Sequence, residues 1–299
     1  MDDEQATHRL GLLITSLGVL VLSPDTLLLR MIGQHGGDSS WTINFWRGLF
    51  LFIGMMTVFA AMQGRGAVKA AFAIGPWGLL AALVFGAQAL TFVFSVGNTL
   101  VANTLVIIAT APFFSALFAW IFLGERAPPR TWIAILCACG GIAVIFSGSL
   151  GSGQLAGDLA ALATAVGLGA GFVIVRHKRK VSMTPSMALG GLLAALVSLP
   201  LAEPFSLSPT GFGLMAFLGL VMLPVAFTMI TLGPRYLPAP EVSLLLLLET
   251  VLGPFLVWLF LHETPDGLAL TGGGIVIVTL VLHSLAGWRA MARRGGVET

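Results

Sequence analysis

Charge is what this chain has least of. Only 9% of its 299 residues are Asp, Glu, Lys or Arg, against about 25% in an ordinary soluble domain. So few charges cannot cover a water-facing surface, which excludes a soluble globular protein of this length. Cysteine is almost missing as well. Cys137 and Cys139 share one apolar segment at a spacing too short for CxxC chemistry. They read as small packing residues, with no disulfide or thiolate metal site implied. Enzyme signatures are absent. There is no HExxH, no GxSxG, no GxxxxGK[ST], and no His or Cys cluster at metal spacing. No catalytic residue, no metal and no cofactor are therefore expected, and the missing phosphate loop argues against ATP-driven work by this chain alone. A net charge of +2 gives no reason to expect a nucleic-acid partner. The acidic first residues, MDDEQATHR, do not read as a cleaved signal peptide.

What is there is apolar length. Hydrophobic residues make up 57% of the chain and the mean hydropathy is +0.97, so the bilayer is the expected solvent and an all-α integral membrane protein the expected class. Ten runs come near the ~20 residues a membrane span needs. They fall at 9–30, 41–62, 71–95, 99–124, 131–147, 155–176, 185–202, 209–232, 240–261 and 266–288. The links are short, and the Gly- and Ser-rich one divides the spans five and five. That predicts a first repeat at 8–148, a linker at 149–154 and a second repeat at 155–288.

One stretch occurs twice. ALFAWIFLGE at 116–125 and PFLVWLFLHE at 254–263 coincide after a shift of 138 positions, which sets Trp120 on Trp258 and Glu125 on Glu263. A fixed offset is the mark of internal duplication, and in a membrane chain it points to a transporter built from repeats. DTLLLR at 25–30 closes the first span and GFVIVR at 171–176 closes the sixth, a further likeness between the halves. Positive charge sets the orientation. With the N-terminus inside, the cytoplasmic segments hold Arg9, Arg65, Lys69, Arg126, Arg130, Arg176, Lys178, Arg179, Lys180, Arg235, Arg289, Arg293 and Arg294, thirteen of the fifteen Lys and Arg. The expectation is N-in and C-in. Five spans per repeat then insert the second repeat upside down relative to the first, with substrate held between them near the midplane.

Phe-Trp-Arg-Gly at 45–48, Ala-Pro-Phe-Phe at 111–114, Leu-Glu-Thr-Val-Leu-Gly-Pro at 248–254 and the duplicated F-L-x-E helix ends resemble the EamA domains of the drug/metabolite transporter (DMT) superfamily. Within it the chain looks most like the YddG-type amino-acid exporters. The resemblance covers roughly 10–148 and 155–287. It implies ten helices as two inverted five-helix EamA repeats, a bacterial inner-membrane location, and export of amino acids or related metabolites. One departure is Thr250 after Glu249, where the family commonly has proline, so the bend there is expected at Pro254 instead.

Ionisable groups inside a membrane are rare enough to weigh singly. Glu249 lies eight residues beyond Glu241, about 12 Å into its helix. It reads as a site for a substrate amino group or a proton, or alternatively as a protonated carboxyl that ties helices together. Asp25 and Arg47 lie at matched depth, roughly 8–9 Å from one surface. They read as a structural ion pair, or as the ends that hold a zwitterion. Phe85, Gln88, Thr91, Phe92 and Ser95 share a helix face. That stripe suits a cavity for apolar or aromatic side chains, although single polar residues in membranes also bond neighbouring helices. Asn103 is a further binding candidate, and with Asn98 a candidate helix cap. Pro24, Pro112, Pro224 and Pro254 are the expected helix kinks. Glu125 and Glu263 are expected to cap or anchor helix ends, Trp41, Trp46, Trp77, Trp132 and Trp288 to sit at membrane interfaces, and the deeper Trp120 and Trp258 to be structural.

The function these residues imply is secondary transport. Two inverted repeats enclose a central cavity with alternating access. Amino acids, aromatic or otherwise apolar, are the expected small-molecule cargo, lipid is the surrounding partner, and protons are the candidate coupling ion. Other readings are export of a different metabolite or a drug cation with Glu249 as counter-charge, an intramembrane enzyme, or an accessory membrane subunit.

Overall fold

The protein is described from a computed structural model, which covers residues 2–35, 39–64, 71, 73–124, 129–150, 152–177, 183–232 and 239–295. Arg65, Lys69, Glu125, Arg126, Lys178, Arg179, Lys180 and Arg235 lie outside the described residues, as do the side chains of Arg176, Glu241, Arg289, Arg293 and Arg294.

Among the described residues the regular structure is helical throughout. A chain in lipid must satisfy its backbone polar groups internally, and a helix does so within one segment. The first repeat region holds α1 (Asp2–Leu22), α2 (Asp25–Gln34), α3 (Ser40–Gln63), α4 (Gly75–Asn98), α5 (Val101–Ile108), α6 (Ala111–Leu123) and α7 (Pro129–Ser149). The second holds α8 (Leu155–His177), α9 (Thr184–Ser198), α10 (Pro209–Ala216), a π-helical segment (Phe217–Met222), α11 (Leu223–Leu232), α12 (Ala239–Leu261) and α13 (Gly267–Gly295). Eight helical runs among the described residues are long and apolar enough to cross a membrane, from Arg9–Gln34 to Pro209–Ile230. Two shorter apolar stretches follow, Leu248–Leu261 in α12 and Gly267–His283 in α13.

The prolines act unequally. Pro24 has no N–H to offer the preceding turn, and the chain breaks there into α1 and α2. Pro112 sits in the first turn of α6, just after the chain has left α5. Pro224 follows the π-helical segment, where an extra residue per turn re-aims the backbone. By contrast α12 runs through Pro254 as one helix.

The two copies of the repeated stretch share more than sequence. Gly124 ends α6 at φ 68°, and His262 follows α12 at φ 56°. Both are left-handed, so each apolar helix stops at the same turn before its glutamate. Side chains rarely adopt that conformation, which makes His262 the notable member of the pair.

Helix pairing also repeats. α3 lies along α9, α7 along α13, α4 along α8, and α1 along α11. Exchange each helix for its counterpart in the other half and the set maps onto itself: α4 on α8 becomes α11 on α1. The two self-paired couples meet glycine on glycine. A Cβ at Gly191 would lie 2.9 Å from the Gly48 carbonyl oxygen, and one at Gly272 would lie 2.6 Å from that of Gly141. Only small residues permit such backbone contact, which is how membrane helices gain packing without a hydrophobic drive between them.

Large apolar side chains cover the outside. Phe122, Leu136, Leu79, Phe260 and Leu282 are all more than half exposed, a surface that only lipid can accept. Cys137 and Cys139 are also exposed, on α7. Their reading as small packing residues is corrected: they flank the buried Ala138, one on each side of it, and both side chains are exposed.

Candidate substrate site

The break at Pro24 places Asp25 at the first position of α2. Ser23, just before it, donates back to the Val19 carbonyl at 2.8 Å. The turn leaves the Asp25 carboxylate inside the bundle at 3% exposure, facing Arg47 in the middle of α3 at 6%. Arg47 Nη2 donates to Asp25 Oδ2 at 2.9 Å. The guanidinium also lies over the Phe92 ring from α4, 5.2 Å from its centroid, an arrangement the negative ring face favours. Taking two charges out of water is costly unless both are fully bonded. Here they are not. Asp25 Oδ1, Thr26 Oγ1, Arg47 Nε and Gln88 Oε1 are all buried without a partner among the described residues.

Glu249 joins the same cluster from α12. Gly253, one turn further on, packs against Thr26 and Leu105, and a Cβ there would lie 3.3 Å from Thr26 Oγ1. That seats this face of α12 on the Asp25–Thr26 turn. The Glu249 carboxyl lies within electrostatic reach of both Asp25 and Arg47. Glu249, itself only partly buried, therefore meets the buried Asp25–Arg47 pair, so that side chains from α2, α3 and α12, and so from both halves, share one region.

The expected stripe on α4 divides among neighbours. Phe92 meets Arg47. Gln88, one turn earlier on the same face, packs against Gly167 of α8. Thr91 Oγ1 is 2.7 Å from Thr164 Oγ1, and Ser95 Oγ is 2.8 Å from Thr104 Oγ1. Phe85 wedges its ring against Gly171 of α8 and its Cβ against Gly190 of α9. So Thr91, Ser95 and Phe85 spend their contacts on helix packing, and the part of the stripe nearest the charges is Phe92 with Gln88.

Asn103 lies apart from the charged cluster. Its Nδ2 reaches Thr99 Oγ1 at 3.4 Å and Asp158 Oδ1 at 3.3 Å. It does not cap α5, and neither does Asn98, which donates back to the Phe94 carbonyl at 2.8 Å. The free N–H of Val101 at the start of α5 is taken by Glu263 Oε1 at 2.7 Å. A carboxylate from another helix satisfies this terminus and suits its positive end.

Sequence reasoning passed over Asp158. It is fully buried and accepts from Thr99 Oγ1 at 2.5 Å, from Asn103, and from Ser149 Oγ. An acidic residue in the first turn of a helix ordinarily reads as a solvated end group, so nothing in the local sequence marks it as buried. Among the described residues no group of three or more His, Cys, Asp or Glu is placed to hold a metal ion.

Comparison with known proteins gives the setting for this geometry. The chain is 23% identical over 242 residues to the pseudopaline exporter CntI of Pseudomonas aeruginosa, covering 78% of this chain and 82% of that one. It is 26% identical over 221 residues to the uncharacterized transporter YwfM of Bacillus subtilis, covering 71% and 74%. A solved crystal structure superposes with a TM-score of 0.63 at 17% identity, over 93% of this chain and 98% of the other, a likeness of fold. The EamA-like transporter family matches twice, at 9–147 and 155–285. A multi-pass helical membrane protein with this doubled match belongs to the EamA-like transporter family.

Proposed function

We propose that the protein exports amino acids or closely related zwitterions across the bacterial inner membrane by alternating access, with the Asp25–Arg47–Glu249 cluster as the substrate site. The observation that carries this is the set of unpaired buried atoms. Among the described residues Arg47 Nε is a donor, Asp25 Oδ1 an acceptor and Thr26 Oγ1 a hydroxyl able to be either, each buried without a partner. A carboxylate at Arg47 and an ammonium between Asp25 and Glu249 would complete all of them. The ammonium would have a carboxyl group on each side of it. Phe92, and with it Gln88, would meet the cargo side chain. Resemblance to YddG-type exporters supports the amino-acid reading, and the exporter named among the relatives supports outward transport of a small metabolite.

In this reading α12 and α13 are the ninth and tenth spans, both termini are cytoplasmic, and the repeats at 8–148 and 155–288 are inverted about an axis in the membrane plane. The exchange of helix pairs between the halves supports that symmetry. A second reading is a cationic metabolite or drug held by Glu249 alone, favoured by Glu249 standing outside the Asp25–Arg47 ion pair.

A binding panel separates the two. Ligand that binds only the folded state raises the melting temperature of the purified protein. Apolar amino acids should raise it, and their decarboxylated and deaminated analogues should not. A shift with the decarboxylated amines as large as with the amino acids would favour the cation reading. No shift with any amino acid would contradict both the cargo and its site.

A further inference from the structure

A second polar network lies outside the charged cluster, where the end of α2, the α4–α5 link, the end of α7, the start of α8 and the end of α12 converge. Arg30 Nη2 pairs with Glu263 Oε2 at 3.1 Å and donates to the Thr99 carbonyl at 2.5 Å. Glu263 Oε1 in turn accepts from Val101 N at 2.7 Å. The left-handed turn at His262 is what brings this carboxylate back towards the first half. Thr99 connects the ion pair to Asp158, whose carboxylate takes Thr99 Oγ1, Asn103 Nδ2 and Ser149 Oγ. Gly157 makes this approach possible. A Cβ there would lie 2.7 Å from the Asn98 carbonyl carbon, so a larger residue would hold α8 off the link.

Both carboxylates, Asp158 and Glu263, come from the second half. Arg30, Thr99, Val101 and Asn103, which hold them, come from the first, and Ser149 from the link between the repeats. All the contacts sit at one end of the bundle, where α2 and α4 finish and α5 and α8 begin. The buried Leu105, one turn from Val101, and then Thr26 lie between this end and the charged cluster. Because α3, α4, α7 and α1 each lie along a helix of the other half, the halves do not part along their length; what this bond set ties together is α2 and α12 on one side and the α4–α5 link, α5 and α8 on the other, and it has to break for this end to open.

We propose that Arg30, Glu263 and Asp158 form a latch that holds this face of the transporter shut, and that its release admits solvent to the Asp25–Arg47 region. The proposal rests on alternating access and is independent of cargo. Arg30 and Glu263 are each about one-fifth to one-quarter exposed, so they form the breakable rim. Asp158, at 0% exposure, is the inner bolt, seated by neutral donors alone among its described contacts. These three act by holding helix ends together; none belongs to the cargo site.

The test is labelling of a buried thiol in nanodiscs, where both faces are open to reagent and no substrate is needed. Cys137 and Cys139 are exposed and are first replaced by Ser. Thr26→Cys then places a thiol at a position of 1% exposure beside Asp25. Arg30→Gln, Glu263→Gln and Asp158→Asn should each speed maleimide labelling of that thiol, by about fivefold or more if the latch carries a typical coupling. Arg30→Lys, which keeps the charge, should stay close to the parent rate. The double variant Arg30→Gln with Glu263→Gln should label no faster than the faster single one, since each acts through the other. Helicity and a monodisperse elution profile exclude unfolding as the cause of faster labelling. Parent-like rates in all three neutralised variants would overturn the latch, as would fully additive effects in the double variant. A failed amino-acid panel alongside accelerated labelling would refute the cargo and leave the latch standing.

Discussion

Arg47→Ala is expected to be the most damaging single change, costing the fold about 3–5 kcal/mol. The reason is what it leaves behind. Asp25 is 3% exposed and its Oδ1 already lacks a partner, so removing the guanidinium strands a whole carboxylate in the bundle. Phe92 loses the cation above its ring as well. Asp25→Ala should do comparable harm by stranding Arg47. Replacing both at once, Asp25→Leu with Arg47→Met, should recover most of the stability, because apolar residues of similar size bury without a desolvation cost. Thermal unfolding in detergent measures all three. The pair of results separates structure from function. If Asp25 and Arg47 only held helices together, the stable double variant would still bind and transport. As parts of the cargo site they should leave it stable and inactive.

Glu249→Gln is the second large effect, and it falls on transport rather than on the fold. Gln keeps the shape and hydrogen-bonding reach of the side chain and removes its ionisation. Glu249 is coupled electrostatically to both members of the buried pair, so its charge state alters how strongly the cluster attracts an ammonium. Flux by the Gln variant should lose its response to an imposed proton gradient, and cargo affinity should fall at least tenfold, equivalent to about 1.4 kcal/mol. Thermal stability should change little, since Gln fills the same space and keeps the same hydrogen-bonding reach. A Gln variant whose flux still follows the proton gradient would remove Glu249 from coupling.

The sequence announced the helical, membrane-embedded character through its shortage of charge, and the doubled stretch announced the repeat. Both are long-range averages, and averages survive without coordinates. The break at Pro24 was legible for a local reason, because a missing N–H acts on the next turn. Pro254 looks the same in sequence, yet α12 continues through it, since neighbouring helices decide how a proline is absorbed. The α4 stripe shows the limit of periodicity. Spacing put Phe85, Thr91 and Phe92 on one face, but a face meets several partners, and Thr91 turned to Thr164 while Phe92 turned to Arg47. Asp158 was invisible because its burial depends on α8 pressing against a link some sixty residues earlier in the chain. Glu263 was expected at a helix end; that its carboxylate serves the start of α5 is a fact of tertiary packing.

Flux through proteoliposomes tests the central claim most directly. Vesicles loaded with a panel of labelled amino acids, with and without a proton gradient, should release a selected apolar subset when they contain the wild-type protein. They should release none when they contain the stable Asp25→Leu with Arg47→Met variant. Release of the same subset by both proteins would move the substrate site away from this cluster. No release of any amino acid by folded wild-type protein would contradict amino-acid export itself.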